Sequence, residues 1–252
     1  MTHRRILRLS GADTYGFLQG LVTNDIDKLK DGLVYAAILT PQGKYLADFF
    51  LKAEGPDVLL DVAEALADML MQRLSMYKLR AAVEISQTDL QVHRGIGPQP
   101  EDGAADPRHP AMGWRAYRTS APDVDTTDWD ALRVAHLVPE TGIELTPDTF
   151  ILEVGFERLN GVDFRKGCYV GQEVTARMKH KTELRKGLAQ VAVDGEVQAG
   201  TEILAGDKPA GTILTQSGDH ALAYLRFDRA NGPMQAGSAQ ITWQSADEGD
   251  LK

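Results

Sequence analysis

The residues with the clearest chemical potential surround Cys168, the only cysteine of the chain. It lies in the octet Lys-Gly-Cys-Tyr-Val-Gly-Gln-Glu at positions 166–173, directly after the basic pair Arg165 and Lys166. Thiolate is the reactive form of cysteine, and a nearby cation lowers the pKa of a thiol. The octet therefore predicts a reactive thiol at Cys168 with Lys166 as its activating cation.

Two glycines and a predicted helix start flank the cysteine. Gly167 and Gly171 are expected to adopt backbone angles that a β-carbon forbids, and to let a ligand approach the main chain. A helical pattern begins at Gln172, and the free amides of such a turn can hold an anion. No histidine is near in sequence to act as a base, and free cysteine is often buried, so spacing alone also leaves an inert Cys168 open.

The elements that must position this octet are those of an α+β body followed by short strands. The predicted elements of the body are a strand at 4–9, a helix within 11–21, a hairpin of 33–40 and 45–52 around the turn 41–44, a strand at 57–61, a helix at 64–77, strands at 82–85, 90–93 and 114–118, and a helix capped by Thr127 or Asp128. Seven of the sixteen residues at 95–110 are Gly or Pro, which predicts a loop or joint with a disordered part. Five short strands at 188–193, 201–204, 211–215, 221–227 and 239–243 predict a small barrel or sandwich.

Length and composition indicate a globular, soluble protein of two or three domains or one large one. The 252 residues are 43% hydrophobic, which is enough for a sizeable core. The sequence has no apolar run of eighteen residues and no apolar signal-peptide region at its N-terminus, so we expect neither a membrane partner nor export. A single cysteine excludes an intramolecular disulfide and fits the cytoplasm.

Charge is distributed unevenly. The formal net charge is −9, which argues against DNA or other nucleic acid binding over the whole surface. Between 165 and 186, however, seven Lys or Arg face two Glu, a balance of 7 − 2 = +5, which leaves −9 − 5 = −14 for the rest. This basic segment is either a solvated face or an anion site for a glutamate tail, a phosphate or RNA.

Several common site types are absent from the sequence. Gly43-Lys44 lacks the first glycine of a phosphate loop, and proline follows Gly95-Ile96-Gly97 where a dinucleotide fingerprint needs other residues. The six histidines are scattered without zinc-site spacing, so no metal site built by the protein alone is expected.

The octet resembles the signature of the YgfZ family, relatives of the glycine-cleavage T-protein that are associated with iron–sulfur protein maintenance, folate binding and tRNA modification. Two upstream stretches resemble the same family: Phe-Leu-Gln-Gly-Leu-Val-Thr-Asn-Asp at 17–25 and Pro-Gln-Gly-Lys-Tyr-Leu-Ala-Asp-Phe at 41–49. Three ordered matches are far more specific than a lone glycine motif.

The resemblance implies a T-protein-like α+β body followed by a C-terminal β-barrel. The implied body covers 1–183 as two intertwined subdomains, about 1–94 and 111–183, joined by the loop 95–110. The barrel would cover 184–245 and a tail 246–252.

The resemblance also assigns roles to individual residues. Cys168 becomes a reactive or cluster-handling thiol assisted by Lys166, and Asp48 matches an acidic residue that contacts the folate pterin or the reacting amine. The other implied contacts to tetrahydrofolate or a folate derivative are Asn24, Tyr169, Gln172, Glu173 and Arg177. A solvated strand residue at Asp48 and an Asx turn at Asn24 are the alternatives.

Three functions remain open at this stage. The first is a YgfZ-like folate-binding protein that supports iron–sulfur enzymes and thereby tRNA thiolation, with iron–sulfur proteins or assembly factors as partners. The second is a folate-dependent aminomethyl or methyl transferase, although Arg-Val-Ala-His-Leu at 133–137 lacks the Glu of the Arg-x-Glu-Ala-Gly motif, and Leu137 stands where YgfZ relatives commonly have glycine. The third is an RNA- or protein-binding module that uses the basic segment 165–186.

Whether the chain is an enzyme is not decided by the sequence. A single thiol supplies fewer ligands than the four cysteines that an iron–sulfur cluster usually needs. A transient cluster at Cys168 would therefore be shared with a second subunit, a partner or a small thiol.

Overall fold

The computed structural model describes residues 3–181 and 184–244. Backbone contacts divide the chain into two units, one made of Met1–Thr127 with Leu159–Ala176 and the other of Asp128–Arg158 with Arg177–Lys252. The predicted boundaries of a body at 1–183 and a barrel at 184–245 stay predictions, and the predicted tail 246–252 lies outside the described residues.

The first unit is built on an antiparallel five-stranded sheet with the order β2-β3-β4-β1-β5. Its strands are β1 (Arg4–Ser10), β2 (Val34–Leu39), β3 (Tyr45–Glu54), β4 (Asp57–Ala63) and β5 (Glu84–Gln87). The predicted hairpin of β2 and β3 is confirmed, whereas β5 begins two residues later than predicted.

One face of this sheet carries the apolar core. Helices α1 (Thr14–Gln19) and α2 (Glu64–Lys78) supply Leu18, Leu70 and Leu74 to the same buried cluster as Phe49 and Leu60 of the sheet. Strand side chains alternate between faces, so the opposite face must be covered separately.

The opposite face carries buried aromatic rings and buried ion pairs. A second sheet has the order β6-β8-β7, with β6 (Gln91–Gly95), β7 (Ala104–Ala105) and β8 (Trp114–Arg118). Arg115 of β8 pairs with Asp61 of β4 and with Asp106, which also binds Arg108. Burial acts to raise the pKa of Asp106, but the two arginines lower it to about 2.

This arrangement corrects the prediction of a partly disordered joint at 95–110. Asp106 and Arg108 are buried there, and a 3₁₀ turn at Pro110–Met112 leads into β8. Glycine and proline content alone did not reveal that these two charges bind each other.

The second unit contains α3 (Trp129–Ala135), a 3₁₀ turn at Ile151–Val154 and a closed barrel. Asp128 caps α3 by accepting a hydrogen bond from the Ala131 amide at 2.9 Å, as predicted. The barrel order is β10-β11-β12-β9-β14-β13, with strands β9 (Lys186–Asp194), β10 (Glu202–Ala205), β11 (Lys208–Ser217), β12 (His220–Arg226), β13 (Met234–Ala236) and β14 (Ala239–Thr242).

The barrel has one strand more than the sequence predicted. β13 is three residues long and lies between turns at Gly232 and Gly237, both of which have positive φ. It pairs with β10 and β14 and thereby closes the barrel.

Helix α4 (Gln172–Lys181) begins at the predicted residue and runs across the division between the units. Within residues 3–181 and 184–244, the helices are all too short or too polar to cross a membrane.

Candidate functional site

Three segments that are far apart in the sequence converge in the first unit around the cysteine octet. They are the stretch 17–25, the hairpin turn 40–43 and the segment 160–174, and they correspond to the three stretches that carry the family resemblance. Hydrogen bonds join the third segment to the first, and close backbone packing joins it to the second. The octet is therefore held from two sides.

Lys166 makes the longest-range of these connections. Its Nζ donates a hydrogen bond to the carbonyl oxygen of Gln19 at 2.7 Å and another to that of Val22. These carbonyls lie at and just beyond the C-terminal end of α1, where helices leave carbonyl oxygens without intrahelical partners. Lys166 is only 7% exposed, so its ammonium is buried against the main chain at the end of α1.

The neighbours of Lys166 affect its charge. Burial lowers the pKa of the Lys166 ammonium to about 8, and the charges of Asp25 and Asp163 partly oppose this shift. The ring centre of Tyr169 lies 5.1 Å from Nζ, within cation–π range. Two octet residues thus pack together beneath the surface.

Tyr169 is itself buried. Burial raises its pKa to about 12, with a smaller opposing effect from Thr175. Its hydroxyl lies near Thr175 without meeting the geometry of a hydrogen bond, and it has no hydrogen-bond partner among the described residues. The predicted folate contact of Tyr169 stays a prediction.

Asn24 ties the first segment to the residues that precede the octet. Its Nδ2 donates to the carbonyl oxygens of Tyr35 at 2.8 Å and Asn160 at 2.6 Å. Its Oδ1 accepts from the Asp25 amide at 2.9 Å and from Lys28 Nζ at 3.0 Å. A side-chain amide offers two donors and two acceptor sites, and all four are occupied here. The folate contact of Asn24 stays a prediction, and it would require one of these bonds to break.

Two glycines allow the hairpin turn to pack against the start of α4. Gly171 has φ +85°, and a β-carbon there would lie 2.6 Å from the carbonyl oxygen of Thr40. Gly43 has φ +76°, and a β-carbon there would lie 2.8 Å from Val174 Cβ. The prediction that Gly167 adopts backbone angles forbidden to a β-carbon is wrong, because its φ is not left-handed and no described atom outside its immediate neighbours lies within 4 Å of a β-carbon built there. The approach of a ligand to its main chain stays a prediction.

Cys168 lies exposed between the buried Lys166 and Tyr169. This contradicts the alternative of a buried, inert cysteine. The thiol precedes the first residue of α4, Gln172, by four positions, so it lies outside the first turn of that helix. The sulfur is therefore exposed to solvent on a loop in which the side chains of Lys166 and Tyr169 are buried.

Asp48 lies on β3 and is 3% exposed, which contradicts the alternative of a solvated strand residue. Its Oδ1 accepts a hydrogen bond from the Tyr45 hydroxyl at 2.7 Å, and its Oδ2 accepts one from the Tyr35 hydroxyl at 3.0 Å. Burial and the nearby Asp48 charge raise the pKa of Tyr35 well above its usual value, so Tyr35 stays a neutral donor. Each carboxylate oxygen thus accepts one tyrosine hydrogen bond, and the carboxylate is buried in this conformation. The folate contact of Asp48 stays a prediction.

The tyrosines at 35 and 45 and Arg108 were missed by sequence reasoning. The Arg108 guanidinium lies 5.5 Å from the centre of the Tyr35 ring, and Asp48 is among the charges that favour its protonated form. A strand tyrosine is ordinarily a packing residue, so a single sequence contains no signal that these hydroxyls converge on one carboxylate.

The remaining predicted contacts lie on α4. Gln172 is half-buried, whereas Glu173 and Arg177 are exposed. Their roles toward a folate stay predictions. Among residues 3–181 and 184–244, no three His, Cys, Asp or Glu side chains are grouped so that they could hold a metal ion.

Comparison with known proteins identifies the family. Residues 185–248 match the model of the CAF17 C-terminal beta-barrel domain. The chain is 30% identical over 244 residues to the mitochondrial iron-sulfur cluster assembly factor IBA57 homolog of Mycosarcoma maydis, covering 84% of this chain and 58% of that protein. It is 30% identical over 278 residues to the mitochondrial iron-sulfur cluster assembly factor IBA57 of Mus musculus, covering 92% of this chain and 78% of the mouse protein. The chain belongs to the IBA57/CAF17/YgfZ family.

The fold is also that of a solved aminomethyltransferase. The glycine cleavage system aminomethyltransferase T from Bartonella henselae superposes with a TM-score of 0.74, covering 97% of this chain and 83% of that protein. The sequences are only 12% identical, so this likeness supports the fold alone. The expected T-protein-like α+β body with a C-terminal barrel is confirmed.

Leu137 shows how this member of the IBA57/CAF17/YgfZ family replaces the glycine expected from the resemblance. Its φ is +53°, a left-handed conformation that glycine adopts without strain. Arg158 donates hydrogen bonds to the carbonyl oxygens of His136 at 3.0 Å and Leu137 at 2.7 Å. These bonds hold the turn in place, so a backbone that favours glycine is retained with a leucine.

The basic segment 165–186 offers fewer free charges than its composition indicated. Lys166 is buried, Lys179 pairs with Glu157 at 2.6 Å, and Lys186 lies 3.7 Å from Glu153. The Lys181 side chain and Glu183 lie outside the described residues. The exposed cations that remain are Arg165, Arg177 and Arg185. An RNA contact through this segment stays a prediction.

Proposed function

We propose that this chain is an iron–sulfur cluster assembly factor that works through the thiol of Cys168. The observation that carries the proposal is the exposure of this sulfur on a loop whose flanking side chains, Lys166 and Tyr169, are buried. The mouse and Mycosarcoma maydis relatives are named as assembly factors of this kind. An accessible cysteine sulfur is a ligand suited to iron and to iron–sulfur clusters.

The proposal requires a partner that completes the coordination. Clusters usually take four cysteine ligands, and this chain contains one cysteine. Cys168 therefore acts on a cluster or iron ion that is also held by an iron–sulfur protein, an assembly factor or a small thiol. Enzymes that thiolate tRNA would be affected only through the clusters they need. The two relatives are named as mitochondrial, and cytoplasm stays a prediction for this chain.

The test is complementation of cells that lack the chain. Wild type, Cys168→Ser and the control Ser75→Ala, an exposed change on α2, are expressed at equal levels. We expect the activities of iron–sulfur enzymes and tRNA thiolation to recover with wild type and Ser75→Ala and to stay at the deletion level with Cys168→Ser. Full recovery with Cys168→Ser would remove the thiol from the proposal.

A reduced folate is the second part of the proposal, and it is supported by the resemblance of 41–49 to T-protein relatives. Because Asp48 is 3% exposed and hydrogen-bonded to Tyr45 and Tyr35, a pterin can reach the carboxylate only if side chains around it move.

A tetrahydrofolate titration with two variants tests this part. We expect Asp48→Asn to weaken binding by about tenfold, since a charged hydrogen bond contributes about 1.5–3 kcal/mol. Tyr45→Phe removes the competing hydroxyl and is expected to bind at least as tightly as wild type. Equal affinity of Asp48→Asn and wild type, with both folded, would exclude Asp48 as the contact. Turnover of an aminomethyl donor during the titration would instead favour the transferase alternative.

A further inference from the structure

The Lys166 ammonium uses two of its three donors within the protein. An ammonium group has three donors and no acceptor. Two of them go to the carbonyl oxygens of Gln19 and Val22, and the Tyr169 ring lies 5.1 Å from the nitrogen. Cys168, only two residues away in the chain, is exposed. The cation and the thiol therefore face different environments.

A second tether holds the chain just before the octet. Asp163 Oδ1 accepts hydrogen bonds from the Arg165 amide at 2.7 Å and from the Lys166 amide at 3.3 Å. Its other carboxylate oxygen lies 2.7 Å from Lys28 Nζ. The main chain at 165–166 is thus fixed through Asp163, and the side chain of Lys166 fixes it again at the end of α1.

Burying an ammonium is unfavourable unless hydrogen bonds replace the lost hydration. A lysine whose task was to stabilise a neighbouring thiolate could do so from the surface, where no such cost arises. The burial of Lys166 is explained when the ammonium connects two segments, because charge-assisted hydrogen bonds are about twice as strong as neutral ones.

We propose that Lys166 is a positioning residue, which holds the Cys168 loop against the C-terminal end of α1 and does not activate the thiol. This inference rests on the proposed function of Cys168 and gives the octet lysine a role distinct from that of the cysteine. Without the tether, the sulfur would sample many positions, and its delivery to a partner-held cluster would become inefficient.

The first measurement separates positioning from activation. The rate of Cys168 alkylation by iodoacetamide is followed against pH in wild type and Lys166→Met, which keeps side-chain length and removes charge and donors. A contacting cation lowers the pKa of an acid by about one unit or more, so activation predicts a profile whose midpoint rises by that amount in the variant. Positioning predicts an unchanged midpoint, and a raised midpoint overturns the proposal whatever the other results.

The second measurement detects the tether itself. Hydrogen exchange is measured at the amides of Arg165, Lys166 and Gln172, each of which donates a hydrogen bond. We expect exchange in Lys166→Met to accelerate by about tenfold at these amides, which corresponds to the loss of about 1.4 kcal/mol, while exchange in the barrel stays unchanged. Unchanged exchange near the octet also overturns the proposal.

Rescue by a conservative change completes the test. Lys166→Arg keeps charge and donors, and we expect it to restore both slow local exchange and complementation, whereas Lys166→Met restores neither. If Lys166→Met does not fold, Lys166→Gln replaces it, because its amide can still donate to one carbonyl oxygen. Full complementation by Cys168→Ser would defeat the proposed function while leaving the exchange and alkylation results for Lys166 intact, so the two failures are distinguishable.

Discussion

Cys168 is exposed, whereas Lys166 and Tyr169 on either side of it are buried. The buried side chains make contacts within the first unit: Lys166 binds the end of α1, and Tyr169 packs beside it. The exposed sulfur can be reached by a partner without any opening of the core. At the residue scale, the octet therefore combines two buried side chains with one exposed sulfur.

The charge of Lys166 predicts a specific pH dependence of stability. Its pKa is about 8 in the folded chain and 10.5 as the ordinary value, so the unfolded chain binds more protons between these pH values. The contribution of Lys166 to the free energy of unfolding must then rise with pH from about 8 to about 10.5. Lys166→Met has no such group.

Urea unfolding at several pH values measures this effect. We expect the difference in unfolding free energy between wild type and Lys166→Met to grow in favour of wild type as pH rises from 8 to 10. Taking the difference cancels most of the contribution of the tyrosines, which titrate in both proteins. A difference that is constant over this range would show that Lys166 keeps its ordinary pKa.

At the scale of elements, the sequence predicted the helices and strands that are marked by short sequence patterns. The turn 41–44 between two apolar runs gave the hairpin, and Gln172 was correctly placed as the start of α4. β13 was missed because three residues are too few for a period-two pattern to be visible. The buried pair of Asp106 and Arg108 was missed because a loop composition does not show which charges meet across a fold.

In the candidate site, too, the contacts between residues far apart in the sequence could not be predicted. Cys168 could be singled out because its residue type is unique in the chain, Lys166 because it is a cation close to that thiol in sequence, and Asp48 through the resemblance. The partners of these residues could not be predicted, since Gln19 and Val22 act through main-chain carbonyls that any residue possesses. Sequence identified the groups, and only the fold revealed what they bind.

The contact between the hairpin turn and α4 predicts that alanine destabilises the chain at one glycine of the octet and not at the other. Gly171→Ala places a β-carbon 2.6 Å from the Thr40 carbonyl oxygen in a left-handed conformation, and we expect a loss of about 1–3 kcal/mol in unfolding free energy. Gly167→Ala is the matched control in the same octet, where the site is open and φ is not left-handed. We expect it to change stability by less than about 0.5 kcal/mol.

Denaturant unfolding of the two alanine variants decides the matter. Equal stability of Gly171→Ala and Gly167→Ala would mean that the turn and the helix do not pack as the structure shows. A large loss of unfolding free energy in Gly167→Ala alone would show that glycine is required at Gly167 and not at Gly171.

At the scale of the whole molecule, several charged side chains are buried inside the protein. The first unit buries a chain of alternating charges in which Arg108 binds Asp106, Asp106 binds Arg115, and Arg115 binds Asp61. Arg4 and the hydroxyl of Tyr117 also donate to Asp61. The apolar core packs on one face of the sheet, and these ion pairs lie on the other face together with buried aromatic rings such as Phe50.

Removing the Asp61 carboxylate from these ion pairs is expected to be costly. Asp61→Asn removes the buried negative charge that Arg4 and Arg115 bind, and breaking a buried ion pair costs about 3–5 kcal/mol. Asp102→Asn, which breaks the exposed pair with Arg118, is the control and should change stability little. Thermal unfolding of both variants measures the contrast, and similar melting temperatures would contradict the assignment of Asp61 to buried ion pairs.

In the proposed function, the chain supplies the exposed thiol of Cys168 and a partner supplies the other ligands of a cluster. The most direct test is the incorporation of radioactive iron into an iron–sulfur enzyme in cells that lack the chain and carry either wild type or Cys168→Ser at equal abundance. We expect incorporation with wild type and only the deletion background with Cys168→Ser, although both proteins fold. Incorporation at the wild-type level with Cys168→Ser would contradict it.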